Sequence, residues 1–89
     1  MVQPVDLSIV IPAYNEERRL GPTLRALAAA LAERPERSEI LVVDDGSYDR
    51  TAALVRSLRV PGLRLISYRP NRGKGYAVRT GMLSASGAI

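Results

Sequence analysis

The side chains able to do chemistry gather in three short clusters: Pro12-Ala13-Tyr14-Asn15-Glu16, Asp44-Asp45-Gly46-Ser47 and Asn71-Arg72-Gly73-Lys74-Gly75. The second sets two carboxylates side by side, where they repel each other unless something uses them. An ionised Asp accepts hydrogen bonds from a nucleobase N–H or a ribose hydroxyl, or binds a divalent metal through oxygen. Gly46 lets the chain turn sharply after the pair. The plainer alternative has one Asp capping a helix and the other facing water. In the first cluster Pro12 stiffens the backbone, and Tyr14 offers a flat ring and a hydroxyl suited to a base or ribose. Asn15 and Glu16 also suit the start of a helix, and a helix N-terminus is itself an anion site, so both roles can hold together. The third cluster is a Gly-rich turn opening a helix. Its backbone amides, the helix dipole, Arg72 and Lys74 favour a diphosphate or another polar ligand. It does not match GxxxxGK[ST], and no GxGxxG follows the first apolar run, which argues against a dinucleotide-binding Rossmann domain. Arg79 reads as a solvated helical side chain.

Each cluster follows a short apolar run: Leu7–Ile11 ended by Pro12, Ile40–Val43 ended by Asp44-Asp45-Gly46, and Leu63–Tyr68 ended by Pro70-Asn71-Arg72-Gly73. Runs of this length bounded by turn residues read as strands. The first two are nearly continuous, as in parallel strands covered on both faces. Between them lie helical stripes. Leu20, Leu24, Leu27 and Leu31 share a face, with Asn15 as N-cap, Glu16 and Glu17 in the first turn, and Pro35 as the stop. Thr51, Val55 and Leu58 share a second, with Ser47 or Asp49 as cap and Pro61-Gly62 as exit turn. A third helix runs from about Lys74 to Ser86, with Val78, Met82 and Ala85 on one face and Gly87 as C-cap. The order β-α-β-α-β-α predicts an α/β fold with a parallel sheet, half of a doubly wound Rossmann-like arrangement. Ligands in such sheets bind beyond the carboxyl ends of the strands, where the three clusters converge.

Composition narrows the classes. The 89 residues allow at most one domain with a small core. There is no Cys and no His, which excludes disulfides, thiolate chemistry, His-ligated metals and a His base. Hydrophobic residues make up 46% and charged residues 25%, a globular balance. The net charge is +4, with one Lys among thirteen basic residues. The Arg residues are scattered and the four Tyr form no stacking platform, so nucleic-acid binding is not expected. No apolar run reaches the roughly 18–20 residues of a membrane span. Met1-Val2-Gln3-Pro4-Val5-Asp6 lacks a signal peptide's basic start. A cytoplasmic location, free or at the cytoplasmic face of a membrane, is the expectation. Gly87-Ala88-Ile89 resembles the approach to a fourth strand, and three parallel strands leave open edges. The chain is therefore expected to be the N-terminal part of a longer protein. The open edge is expected to favour self-association of the isolated chain.

Ser-Ile-Val-Ile-Pro-Ala-Tyr-Asn-Glu-Glu (8–17), Val-Val-Asp-Asp-Gly-Ser-Tyr-Asp-Arg-Thr (42–51) and Asn-Arg-Gly-Lys-Gly-Tyr-Ala-Val-Arg-Thr-Gly (71–81) resemble the opening of family 2 inverting glycosyltransferases. The likeness is nearest to polyprenyl-phosphate and dolichyl-phosphate glucosyl- and mannosyltransferases, and it extends over residues 7–89. It implies a nucleotide-diphospho-sugar transferase fold and a UDP- or GDP-sugar donor. It also implies a polyprenyl-phosphate, lipid-phosphate or saccharide acceptor, and a divalent metal, Mg or Mn, in the full-length enzyme. By the same likeness Pro12, Tyr14 and Glu16 line the base and ribose pocket. The Val43 backbone and Asp45 contact the base, Asp44 orients the loop, and Gly73, Lys74 and Gly75 lie beside the nucleotide. The family's metal-binding Asp-x-Asp and its catalytic base belong beyond Ile89, so no metal ligand or catalytic residue is assigned in this chain. Residues 1–89 then form the nucleotide-binding half of one glycosyltransferase domain, inactive alone. Two other classes compete. A non-catalytic α/β nucleotide-binding or assembly module predicts that no Asp-x-Asp follows. A receiver-like phosphoacceptor domain requires its carboxylate pair near the first strand, whereas here the pair follows the second.

Overall fold

The computed structural model describes residues 4–89; Met1, Val2 and Gln3, the start of the stretch compared with a signal peptide, lie outside the described residues. Strands β1 (Leu7–Ala13), β2 (Ser38–Asp45) and β3 (Leu63–Tyr68) alternate with helices α1 (Leu20–Ala32), α2 (Thr51–Ser57) and α3 (Lys74–Ser84). The sheet order is β1-β2-β3 and every pair is parallel. The α/β parallel sheet expected from the alternation is thus present. β2 is central and buried along almost its whole length, hence its unbroken apolar run. Ile40 and Val42 join Ala13, Leu20, Leu24 and Val55 in one cluster, with Leu27, Leu31, Leu54 and Leu58 packed around it. Successive strand residues face opposite ways, so Leu41 and Val43 serve the other face of the sheet, against α3. No helix among the described residues is long and apolar enough to cross a membrane.

Several boundaries differ from expectation. Pro12 does not end β1; it pairs in register with Val43, and an outer strand tolerates a missing N–H. Asp44 and Asp45 lie within β2, opposite Ser67 and Tyr68, rather than in the turn after it. Asn15 is not the cap of α1. It sits at φ 51 with its side chain engaged elsewhere, so α1 begins at Leu20 with no acidic residue in its first turn. Glu16 instead precedes the helix and its carbonyl accepts the Arg19 and Leu20 amides. Neither candidate cap holds the N-cap position of α2, which is Arg50; Asp49, one residue earlier, accepts the Thr51 amide at 2.9 Å and the Thr51 hydroxyl through Oδ1. Helix α1 ends at Ala32, ahead of Pro35.

Helix α3 departs most. Its buried residues are Ala77 and Gly81, whereas Met82 is exposed. The helix lies so close to the sheet that a Cβ on Gly81 would come within 2.3 Å of Val10 Cγ1 and 3.1 Å of Val43 Cγ2. Small residues therefore face inward, and a search for large apolar side chains at helical spacing picks the wrong face. Nor does Gly87 cap α3: Ala85 holds that place in extended conformation, and Gly87 packs against the start of β1.

Candidate nucleotide site

The three clusters do meet. A cavity of about 380 Å³ opens at the carboxyl ends of the strands, lined by Pro12, Ala13, Tyr14, Glu16, Asp45, Asn71, Gly73 and Lys74. That volume falls within the range of small-ligand pockets. Six of the nine residues expected at the site are among them, with Gly75 outside the lining. Val43 is outside it too: it is fully buried, its side chain against α3. Asp44 is buried as well, with Oδ1 accepting the Ser47 amide and Oδ2 the Ser67 hydroxyl, both at 3.0 Å. Its carboxylate thus holds the turn after β2.

Asp45 is 4% exposed and takes four donors, all from one stretch of chain. Oδ1 accepts the Tyr68 hydroxyl at 2.6 Å and the Arg72 amide at 2.8 Å. Oδ2 accepts the Asn71 side-chain amide and the Gly73 backbone amide, each at 3.0 Å. Burial alone would raise the Asp45 carboxyl, but the Tyr68 hydroxyl and the Arg72 and Gly73 amides outweigh it and hold the group below the ordinary carboxylate range. Tyr68 moves the opposite way: burial, then its bond to Asp45 and the nearby negative charge, push its hydroxyl above the usual tyrosine value. The Tyr68 ring meets Tyr76 edge to face at 5.3 Å.

A second set of bonds joins the β1–α1 and β2–α2 loops. The Asn15 amide donates to Ser47 Oγ at 2.9 Å, and Asn15 Oδ1 accepts the Tyr48 amide at 2.9 Å. The Glu16 amide donates to Thr51 Oγ1 at 2.9 Å, and the Glu17 amide to Asp49 Oδ2 at 3.2 Å. Arg69 reaches across from the β3–α3 loop to the Ser47 carbonyl at 3.1 Å. Tyr14 and Glu16 are therefore presented by a braced loop. Gly46, at φ 71, allows a close approach of two loops: a Cβ there would lie 2.4 Å from the Asn71 backbone nitrogen.

The two cations of the third cluster separate. Lys74 lines the cavity, whereas the Arg72 guanidinium stacks over the Tyr76 ring at 5.2 Å. The amides of Lys74, Gly75 and Tyr76 come before the first helical bond of α3, from the Ala77 amide to the Gly73 carbonyl, so they carry the positive end of that helix. Sequence reasoning missed Asn71 as a lining residue and Tyr68 as the partner of Asp45. Asn71 sat inside a quoted cluster without a role. The Tyr68 contact carries no local signal, because it depends on the register of β2 against β3. Among the described residues no group of three or more Asp or Glu could hold a metal ion. The carboxylates of Asp44 and Asp45 are already committed to protein donors, so the residues present do not fit a metal.

Comparison with known proteins agrees with this fold. The description Glycosyl transferase family 2 matches residues 8–89. Dodecaprenyl-phosphate galacturonate synthase of Rhizobium johnstonii is 38% identical over 93 aligned residues, covering 99% of this chain and 27% of that protein. Dolichyl-phosphate beta-glucosyltransferase of Dictyostelium discoideum is 41% identical over 96, covering 94% and 29%. The chain thus spans less than a third of the length of these relatives. Among solved structures, mannosyltransferase PcManGT from Pyrobaculum calidifontis, in complex with GDP-Man and Mn2+, superposes with a TM-score of 0.68 at 26% identity, over 94% of this chain and 27% of that one. With the motifs, the fold and the family description in agreement over residues 8–89, the chain belongs to glycosyl transferase family 2.

Proposed function

We propose that residues 1–89 form the N-terminal, nucleotide-binding part of a single glycosyltransferase domain. In this reading the whole enzyme takes a UDP- or GDP-sugar and transfers the sugar, with inversion, to a polyprenyl phosphate. The observation that carries it is the convergence of Pro12, Tyr14, Glu16, Asp45, Gly73 and Lys74, from three strand ends, on one cavity of about 380 Å³. Tyr14 supplies a ring for the base or ribose, Glu16 a carboxylate for sugar hydroxyls, and Asp45 an acceptor for a base N–H. Lys74 and the free amides opening α3 suit the diphosphate. Val43 contributes through its backbone and Asp44 by holding the turn.

The relatives named for dolichyl and dodecaprenyl phosphate favour a lipid-phosphate acceptor over a saccharide, and with it a place at the cytoplasmic face of a membrane. The Mn2+ and GDP-Man of the mannosyltransferase structure favour a divalent metal, Mg or Mn, in the full-length enzyme. When bound, such an ion neutralises diphosphate charge. Self-association through the outer edge of β3 belongs to the isolated chain.

The test is an amide NMR titration of this chain with UDP and then GDP, with and without Mn2+. Shifts confined to the surroundings of Tyr14, Asp45 and Lys74 are expected, and the nucleotide that produces them identifies the base. A well-dispersed spectrum that neither nucleotide moves would count against the half-site. The isolated chain is expected to bind nucleotide without transferring sugar; measured transfer would overturn the division proposed here.

A further inference from the structure

At the end of the sheet away from the cavity, one buried carboxylate ties together strands and helix. Glu39, near the start of β2, is 3% exposed. Its Oε2 accepts the Ser8 hydroxyl and the Ser86 amide, both at 2.6 Å, and its Oε1 accepts Arg64 Nη1 at 2.8 Å. Ser8 Oγ, buried beside it, accepts the Gly87 amide at 2.9 Å. Arg64 Nη1 also reaches the Ser84 carbonyl at 3.3 Å. A buried charge is costly unless paired and hydrogen-bonded, and here a cation and two neutral donors meet it.

The outcome of this clasp is geometric. The chain leaving α3 is laid against the outer edge of β1. Ala88 pairs in parallel with Leu7: its amide donates to the Asp6 carbonyl at 3.1 Å, and its carbonyl accepts the Ser8 amide at 2.7 Å. Parallel ladders advance residue for residue, so a chain continuing in this register comes level with Ala13 after roughly six more residues, about 20 Å on. Ala13 is a wall of the cavity.

We propose that Glu39 is a positioning residue of the site: its carboxylate sets the register of a fourth parallel strand beside β1, and so fixes where the far end of that strand meets the cavity beside Pro12 and Ala13. This rests on the transferase reading above, since it takes the chain as part of a longer enzyme. Glu39 touches no cavity residue, so its loss acts on turnover and leaves nucleotide capture intact.

The test compares full-length wild type, Glu39→Gln and Ser8→Ala. Glu39→Gln keeps the shape but removes the charge facing Arg64; Ser8→Ala keeps the ion pair but removes the hydroxyl between Glu39 and Gly87. Three quantities are read: hydrogen exchange over residues 84–88, UDP and GDP dissociation constants, and kcat and KM for the donor. For Glu39→Gln, exchange at Gly87 and Ala88 should quicken about tenfold and kcat fall about tenfold, with KM and nucleotide affinity within about twofold of wild type. Ser8→Ala should lie between the two, and it carries the test alone if Glu39→Gln does not fold. Unchanged kcat in a folded variant, unchanged exchange, or nucleotide affinity falling in step with kcat would each overturn the proposal. A wild-type enzyme that transfers no sugar would sink the transferase reading instead, which the exchange data distinguish.

Discussion

Asp45 has the acceptor capacity of any carboxylate, about four lone-pair positions, and the protein fills all of them. A nucleobase N–H must therefore displace a donor. The Arg72 and Gly73 amides are fixed in the loop, so the Tyr68 hydroxyl and the Asn71 side chain are the ones able to yield. In the proposed reading Asp45 has two tasks, one toward the ligand and one toward the β3–α3 loop, and its substitution should show both. Asp45→Asn is expected to weaken nucleotide binding by about 1.5–3 kcal/mol and to lower stability by about 1–3 kcal/mol, since two backbone amides lose a charged acceptor. Calorimetric titration and denaturant unfolding of the same sample check this. Loss of stability with unchanged affinity would assign Asp45 to the loop alone. Tyr14 provides the contrast. It is 41% exposed and outside the core, so Tyr14→Ala should weaken nucleotide binding while the unfolding midpoint stays where it is. A lowered midpoint would show that the ring braces the loop.

Helix α3 shows at the scale of an element why close packing escapes a search for apolar stripes. Gly81 is buried because nothing larger fits above Val10 and Val43. Gly81→Ala gains up to about 1 kcal/mol of helix propensity. Against that, its Cβ meets stiff β-branched side chains on two strands, and such overpacking costs about 1–3 kcal/mol. Net destabilisation is expected in chemical unfolding; a more stable variant would mean that α3 can lift off the sheet. The three strands and the two leucine- and valine-faced helices were legible because each is written in local periodicity. The start of α1 was not. Asn15 has the composition of a cap, but its conformation is set by Ser47 and Tyr48, more than thirty residues away. The site was legible as three clusters at strand ends, because parallel topology forces those ends together. The division of labour inside it was hidden. Nothing local tells that Arg72 turns onto Tyr76 while Lys74 faces the cavity, or that Glu39 binds Ser86 across the sheet.

Across the whole molecule the carboxylates act together. Asp45 lies at the carboxyl end of the sheet, Asp49 between the first two loops, and Glu39 at the opposite end. In all three, burial pushes the carboxyl up and is outweighed: by Tyr68 and the loop amides for Asp45, by Thr51 and the Glu17 amide for Asp49, and by Ser8, Ser86 and Arg64 for Glu39. Each group is thus held below its unfolded value of about 4. A depressed carboxyl binds its proton less readily in the folded chain than in the unfolded one. Its contribution is therefore complete above the unfolded value and is lost as pH falls through the folded one. The charge balance acts in the same direction, because protonating the nine acidic groups leaves thirteen cations unopposed. Thermal midpoints are expected to be level from neutral pH down to about pH 4.5 and to fall steeply below about pH 4. The combined Asp45→Asn, Glu39→Gln chain should start lower at neutral pH and fall less on acidification, since two of the groups that drive the loss are gone. A transition centred above pH 5 would contradict this, because it requires a carboxyl raised by burial and left without donors.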